Sequence, residues 1–178
     1  MKQRTFLLFF ISVTLSCNEQ NNVVATGKPG KQDDVLAYAY RATYSSDMTV
    51  PAHPEYAQMV LKIWKLFESN QIDSMRSYYA DTVTYEPADG HRFYGKKDDL
   101  LSYAAKDIGS LDSLRFDISC WQSIHINDRN EDWVYIWAAE RRYEKNGRAD
   151  TSLMHEQWKI ENNKVSYFNQ YKAKPTEK

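Results

Sequence analysis

Hydrophobic side chains alternate along residues 132–143, which read DWVYIWAAERRY. The alternation divides the apolar residues between two faces, with Trp133, Tyr135, Trp137 and Ala139 on one and Val134, Ile136 and Ala138 on the other. A period of two in aromatic and β-branched residues predicts a β-strand. Because both faces are apolar over the first half, we expect this strand to be covered on both sides.

The same period extends over much of the C-terminal half of the chain. It predicts strands over residues 114–126, 152–160 and 164–171, with an irregularity in the first near Cys120 and Trp121. Short turns containing Asn or Gly separate the strands, at residues 128–130, 145–147 and 161–163. Consecutive strands joined in this way predict an antiparallel meander.

Helical periodicity dominates the preceding segment. Residues 54–69 place Tyr56, Met59, Val60, Ile63, Trp64 and Phe67 at spacings of three and four, which predicts an amphipathic helix. A short helix is expected at 72–79 and a third at 97–106. Between them, strands at 83–86 and 92–94 flank an Asp-Gly turn. Helices followed by a meander predict an α+β fold, a curved antiparallel sheet wrapped around the N-terminal helices.

The N-terminus has the features of an export signal. Residues 1–17 read MKQRTFLLFFISVTLSC, a basic start and an apolar run too short to span a bilayer comfortably. This segment resembles a bacterial lipoprotein signal, which implies lipidation of Cys17, although Thr14 stands where the pattern prefers an aliphatic residue. An ordinary signal peptide with an incidental Cys17 is the alternative.

The rest of the chain divides by composition. Residues 18–34 are polar, contain Gly and Pro, and predict a flexible linker. Residues 35–53 form an N-terminal extension whose first ten residues fit either a short strand or a helical turn. We expect one domain at 54–172 and a tail at 173–178.

Composition excludes some classes of partner and site. Hydrophobic residues make up 42% of the 178 residues and aromatic residues 14%, so the domain is globular. The net charge is −1 and no long basic block occurs, which argues against a nucleic-acid partner. Lipidation of Cys17 would leave Cys120 without a disulfide partner. No His-x-His, HExxH or Cys cluster occurs, so neither a metal site nor a cofactor is expected.

Two stretches resemble a known family. Residues 67–101, FESNQIDSMRSYYADTVTYEPADGHRFYGKKDDLL, and residues 155–171, HEQWKIENNKVSYFNQY, are similar to nuclear transport factor 2 and the SnoaL-like proteins. With its signal, the chain resembles a SnoaL-like lipoprotein of Bacteroidetes-type bacteria. The resemblance implies a cone-shaped fold, a pocket between helices and sheet, and often a homodimer. It does not imply a reaction, because this fold serves isomerases, cyclases, dehydratases, hydrolases and binding proteins alike.

The resemblance also implies candidate pocket residues. If Val165, Tyr167 and Asn169 point inward, then Glu156 does so on the preceding strand. Burial would raise the pKa of Glu156 and suit it to acid–base catalysis. Glu140 is a second candidate, and either Glu could instead be paired with Arg141 or Arg142. The expected ligand-binding residues are Trp64, Tyr85, Trp137, Trp158, Tyr167 and Asn169, although aromatic residues such as these also serve as plain core.

Three functions fit these features. The first is a lipid-anchored protein of the cell envelope whose pocket binds a small, largely apolar molecule. The second is an isomerase, dehydratase or hydrolase that uses Glu156 or Glu140 as its base, with Tyr85 or Tyr167 as a hydrogen-bond donor. The third is a non-catalytic dimeric module that binds a protein partner through the outer sheet face.

Overall fold

A computed structural model describes residues 42–176. The expected signal peptide, Cys17, the linker and residues 35–41 of the N-terminal extension lie outside the described residues. The elements run in the order β1 (Met48–Thr49), α1 (Pro54–Glu68), α2 (Ile72–Met75), β2 (Tyr79–Glu86), β3 (Phe93–Lys96), α3 (Lys97–Gly109), β4 (Leu111–Ile126), β5 (Glu131–Glu144), β6 (Ala149–Glu161) and β7 (Lys164–Ala173). A 3₁₀ turn, Arg76–Tyr78, separates α2 from β2.

The seven strands form one sheet in the order β1-β4-β5-β6-β7-β2-β3. The predicted meander is confirmed, since β4, β5, β6 and β7 pair antiparallel with their neighbours. The β2–β3 hairpin joins the other side of β7, where β2 runs parallel to β7. β7, the last strand of the described residues, therefore lies inside the sheet, between β6 and β2.

The three helices cover one face of the sheet, called here the inner face. The apolar stripe of α1 is confirmed: Val60, Ile63 and Trp64 are buried against the sheet. Pro54 stands in the first turn of α1, where no backbone N–H is needed. From β5, Val134, Ile136 and Ala138 complete this core. The α+β class with a curved, unclosed sheet is therefore as predicted.

The opposite side of the sheet, the outer face, carries a smaller apolar cluster. Its buried members are Ile124, Ile126 and Trp133, and Tyr135 and Tyr167 pack against them. The N-terminal segment borders this cluster, because Tyr44 makes an edge contact with Trp133 at 6.3 Å between ring centroids. β1 pairs with the end of β4 at His125 and Ile126. Within residues 42–176, no helix has the length and apolarity needed to cross a membrane.

Of the four register shifts in the sheet, two occur in the middle of the meander and change which face the side chains occupy. In β4 the register shifts between Ile118 and Cys120, close to the predicted irregularity. In β7, Ile160 of β6 pairs with Val165, whereas its neighbour Lys159 pairs with Tyr167. Ser166 is thus an extra residue in a β-bulge, and the alternation of β7 is reversed from Tyr167 onward.

Candidate functional site

A cavity of about 530 Å³ lies between the helices and the inner face of the sheet. Its walls are mostly apolar and aromatic, and its polar side chains come mainly from the later parts of β5, β6 and β7 and from α3. The lining includes Ile63, Trp64, Phe67, Met75, Tyr79, Tyr85, Leu100, Leu101, Ala104, Asp107, Phe116, Glu140, Arg142, Met154, Glu156, Trp158, Phe168, Gln170 and Lys172. A mostly apolar cavity with a few grouped polar side chains is typical of a small-molecule site.

Stacked rings form one wall of the cavity. The rings of Trp158 and Phe168 stack with centroids 4.4 Å apart, and Phe168 stacks on Tyr85 at 4.3 Å. These three residues come from neighbouring strands, β6, β7 and β2, because Phe168 is the register partner of both Trp158 and Tyr85. Trp64 of α1 lies 4.5 Å from the ring of Phe116 and forms part of the lining from the helical side.

Glu156 is a buried carboxyl group of this cavity, with 4% of its surface exposed. Its Oε2 accepts a hydrogen bond from the Trp158 indole N–H at 3.0 Å, and its Oε1 accepts one from the Gln170 amide at 2.7 Å. Burial raises the pKa of Glu156 from its ordinary 4.5 to about 7, although both hydrogen bonds and the charge of Lys172 oppose the rise. The expectation of an elevated pKa at this position is therefore met. An ion pair of Glu156 with Arg141 or Arg142, the alternative, does not form.

Glu140 is the second buried carboxyl group, with 2% exposure. The Lys172 ammonium donates to its Oε2 at 2.6 Å, and the Arg142 guanidinium donates to its Oε1 at 3.2 Å. Arg142 also donates to Asp107 of α3 at 2.6 Å. Burial by itself would lower the pKa of Arg142, but its hydrogen bonds to Asp107 and Glu140 and their charges raise it. Glu140 therefore belongs to an ion-pair network, as one of the two alternatives for this residue predicted.

Three of the predicted ligand-binding residues line the cavity, namely Trp64, Tyr85 and Trp158. The inward placement of Tyr167 and Asn169 was wrong, because it assumed regular alternation from Val165 and the bulge at Ser166 reverses it. The Tyr167 hydroxyl donates instead to Glu86 at 2.8 Å. Trp137 was also wrongly placed in the wall, since it pairs in register with His155 on the outer face.

Several cavity residues were not found from the sequence. Phe168, Gln170 and Lys172 replace Tyr167 and Asn169 on the inner face of β7. Because Tyr167 and Phe168 are adjacent aromatic residues, the sequence is compatible with either one facing the cavity. Nothing in the sequence pairs Lys172 with Glu140, because this contact depends on the register between strands.

Other side chains that carry catalytic or metal-binding chemistry in many proteins lie outside the cavity. His91 is exposed in the β2–β3 connection, and Asp81 forms an exposed ion pair with Lys97. His155 faces outward and is stacked on Trp137, with ring centroids 4.6 Å apart. Cys120 is an exposed free thiol, and no group of three or more potential metal ligands occurs among residues 42–176.

Comparisons with known proteins identify the architecture. No family model matches the sequence, and no curated protein does. Solved structures do match, among them an LEH-like epoxide hydrolase from M. tuberculosis, with a TM-score of 0.58 and 10% identity over 67% of this chain and 84% of that one. A protein from Shewanella putrefaciens CN-32 assigned to the SnoaL-like polyketide cyclases gives a TM-score of 0.56 and 9% identity, over 67% and 80% of the two chains.

A third match is an NTF-2 like protein of unknown function from Burkholderia xenovorans LB400, with a TM-score of 0.53 and 17% identity over 70% of this chain and 88% of that one. The chain has the NTF2-like fold. The predicted resemblance is therefore confirmed at the level of structure. Sequence identities this low support a shared architecture, but they do not show a shared activity.

Proposed function

We propose that this NTF2-like protein is a lipid-anchored protein of the cell envelope whose cavity binds a small, largely apolar molecule. The cavity itself carries this proposal, because aromatic and aliphatic side chains form most of its wall and its buried polar groups include Glu140 and Glu156. Such a site suits a ligand with an apolar body and one polar group, which the carboxyl-bearing strands would receive. The epoxide hydrolase among the structural neighbours acts on a small molecule, which is compatible with this use of the fold.

The binding proposal is tested by filling the cavity. Native mass spectrometry of the chain from residue 35 onward should detect a co-purifying small molecule, and Ala104→Phe should abolish it because Ala104 of α3 lines the cavity. Ala105→Phe is the matched control, since Ala105 is the next residue of the same helix and is exposed. Recovery of no ligand from several wild-type preparations would count against a tight-binding role.

A second candidate function, acid–base catalysis, is favoured by the two buried Glu residues. Glu156 has a pKa of about 7, close to the value at which a carboxyl group both gives and takes protons near neutral pH. Tyr85 lines the same cavity and could act as a hydrogen-bond donor. Its pKa is raised, mainly by burial, so its hydroxyl keeps its proton.

Hydrolysis of styrene oxide provides a first test of the catalytic alternative. An active enzyme should give a pH–rate profile that bends near pH 7, and Glu156→Gln should lower kcat at least about a hundredfold. Glu161→Gln, an exposed change on the same strand, should leave the rate unaltered. Turnover that survives in Glu156→Gln would exclude this residue as the acid–base group.

The outer face supports a homodimer, in which this face of one copy packs on that of another. Three large apolar side chains are exposed around His155: Trp137 (37%), Tyr171 (57%) and Leu153 (50%). His155 pairs in register with Trp137 on β5 and with Tyr171 on β7, and Leu153 precedes it by two residues on β6. Burial lowers the pKa of His155, and its Nε2 atom is buried without a hydrogen-bond partner. An exposed apolar patch on a sheet face is typical of a surface that binds a partner.

Matched tryptophan variants test the dimer by sedimentation equilibrium. Trp137→Glu should dissociate it, because the new carboxylate would be buried in the interface. Trp121→Glu should not, although Trp121 is more exposed, because its register partner is Ile136 of the inner face. A monomeric wild-type protein at micromolar concentration would refute the homodimer.

The membrane anchor is tested separately from the domain. Replacement of Cys17 by Ser should move the protein from the membrane fraction to the soluble fraction, because the acyl chains would no longer be attached. Retention of the Ser variant in the membrane fraction would defeat the lipoprotein proposal.

A further inference from the structure

Glu156 is held by groups suited to its ionised form. The indole N–H of Trp158 can only donate, and it donates to one carboxyl oxygen while the Gln170 amide donates to the other. Two donated hydrogen bonds stabilise a carboxylate, yet burial in an apolar cavity opposes its charge. Among residues 42–176, no cationic side chain is bonded to Glu156.

The cations of the cavity are already engaged elsewhere. Among the lining residues, four are acidic (Asp89, Asp107, Glu140 and Glu156) and two are basic (Arg142 and Lys172). Both basic residues are bonded to Glu140, and Arg142 is also bonded to Asp107. Lys172 lies near enough to influence Glu156 electrostatically, but the ammonium is bonded to Glu140 instead. Of the two buried carboxyl groups in residues 42–176, Glu156 is therefore the one without a bonded cation.

The surrounding wall is suited to a cation as well as to an apolar body. Tyr79, Tyr85 and Trp158 line the cavity, and both tyrosine rings lie close enough to Glu156 for its charge to affect their ionisation. The faces of such rings attract ammonium groups, most strongly when water is excluded. A cation beside Glu156 would thus gain a carboxylate and neighbouring aromatic rings together.

We propose that the ligand of this cavity is a small apolar amine whose ammonium group pairs with Glu156, with its hydrocarbon body against the wall formed by Trp64, Phe116 and Phe168. The inference rests on the proposed small-molecule function and specifies its ligand class. Binding of an amine would complete the hydrogen bonding of Glu156 and balance the excess of acidic groups in the lining.

Three probes with one hydrocarbon cage test the charge preference. Amantadine, a primary amine, is compared by calorimetry with the corresponding bridgehead alcohol and carboxylic acid at about pH 8. We expect the ammonium to bind at least about tenfold more tightly than the alcohol, and the carboxylate to bind more weakly than either. The comparison uses the wild-type protein, so it does not depend on whether any variant folds.

Glu156→Gln tests whether the preference for the ammonium group arises at Glu156. It should reduce the affinity for amantadine to about that of the alcohol and change the affinity for the alcohol less than about twofold. Glu161→Gln, at the exposed end of the same strand, is the control and should change neither.

The affinity for amantadine should also rise between about pH 6 and pH 8, as Glu156 ionises with its pKa of about 7. The groups that face this carboxyl are Glu140 from β5, Trp158 from β6, Gln170 and Lys172 from β7, and Tyr79 and Tyr85 from β2. The alcohol has no charge to pair, and its affinity should be nearly independent of pH over this range.

The outcomes separate the two proposals. Equal binding of amine and alcohol, or tighter binding of the carboxylate, would overturn the amine inference and leave the small-molecule pocket intact. Failure of all three probes to bind, together with no co-purified ligand, would overturn both. An amantadine preference that survives in Glu156→Gln would also refute the inference, because the cation would then bind elsewhere.

Discussion

Glu140 and Glu156 lie in the same cavity, but the residues bonded to the two carboxyl groups differ in charge. Glu140 accepts hydrogen bonds from two cations, which compensate for its removal from water. Glu156 accepts them from two neutral donors, and burial raises its pKa to about 7. Two carboxyl groups with different environments are the usual basis for assigning different chemical roles within a site.

The raised pKa of Glu156 makes the stability of the protein depend on pH. Between about pH 4.5 and pH 7 the folded state retains a proton that the unfolded state loses, so stability falls as pH rises. Glu156→Gln removes this dependence and keeps an acceptor for the Trp158 N–H. The variant should therefore gain about 3 kcal/mol relative to wild type between pH 4 and pH 8, measured by urea unfolding. A difference between the two proteins that does not change with pH would contradict the raised pKa.

Two lysines of β7 illustrate how burial decides the value of an ion pair. Lys172 pairs with the buried Glu140, whereas Lys174 pairs with Asp150 at an exposed position. We expect Lys172→Met to cost about 2–3 kcal/mol, because Glu140 would keep Arg142 as its only bonded cation. Lys174→Met should cost clearly less, because water solvates both partners of that pair. Equal costs in urea unfolding would show that the Lys172 pair is solvated as well as the other.

At the level of elements, periodicity predicted the helices and strands well but did not predict the bulge. The stripe of α1 and the alternation of β5 are properties of many residues, so they survive local irregularities. The lining of β7 depends on one unpaired residue, Ser166, whose presence is decided by pairing with β6. A single sequence does not show that pairing, which is why Tyr167 and Asn169 were assigned to the wrong face and Gln170 and Lys172 were missed.

Single-residue deletions in β7 test this interpretation. Deletion of Ser166 removes the bulge but leaves Val165, Phe168, Gln170 and Lys172 on the inner face, so the protein should fold with a loss of less than about 2 kcal/mol. Deletion of Asn169 instead turns Gln170 and Lys172 outward and leaves Glu140 and Glu156 without these partners.

The Asn169 deletion should therefore prevent cooperative folding, because uncompensated buried charges cost several kcal/mol. Circular dichroism during urea unfolding distinguishes the two deletions. Equal loss of structure in both variants would mean that the fold requires the bulge geometry itself, whichever face Gln170 and Lys172 occupy.

At the scale of the whole molecule, the segment before α1 is part of the folded structure. Met48 and Thr49 pair with the end of β4, Tyr44 packs against Trp133, and the Tyr44 hydroxyl donates to Glu131. Arg129 lies over the Tyr44 ring, 3.8 Å from its centroid. These contacts cover the outer-face cluster at one end of the sheet.

Removal of this segment should weaken the fold without abolishing it. A chain that begins at residue 54 should be about 2 kcal/mol less stable than one that begins at residue 42, because it loses the Tyr44 contacts and the β1 pairing. Urea unfolding of the two chains measures the difference. Identical midpoints would show that residues 42–53 contribute nothing to stability.

The position of β7 in the sheet has a consequence for synthesis of the protein. Among the strands of residues 42–176, β7 leaves the ribosome last, yet it lies between β6 and β2 and supplies Phe168, Gln170 and Lys172 to the cavity. Until it emerges, the β2–β3 hairpin has no place in the sheet, and Glu140 and Glu156 lack their β7 partners. Contacts between strands so distant in sequence form late and slowly. A nascent chain truncated before residue 164 should therefore be protease-sensitive, and the cavity can receive a ligand only after β7 has been synthesised.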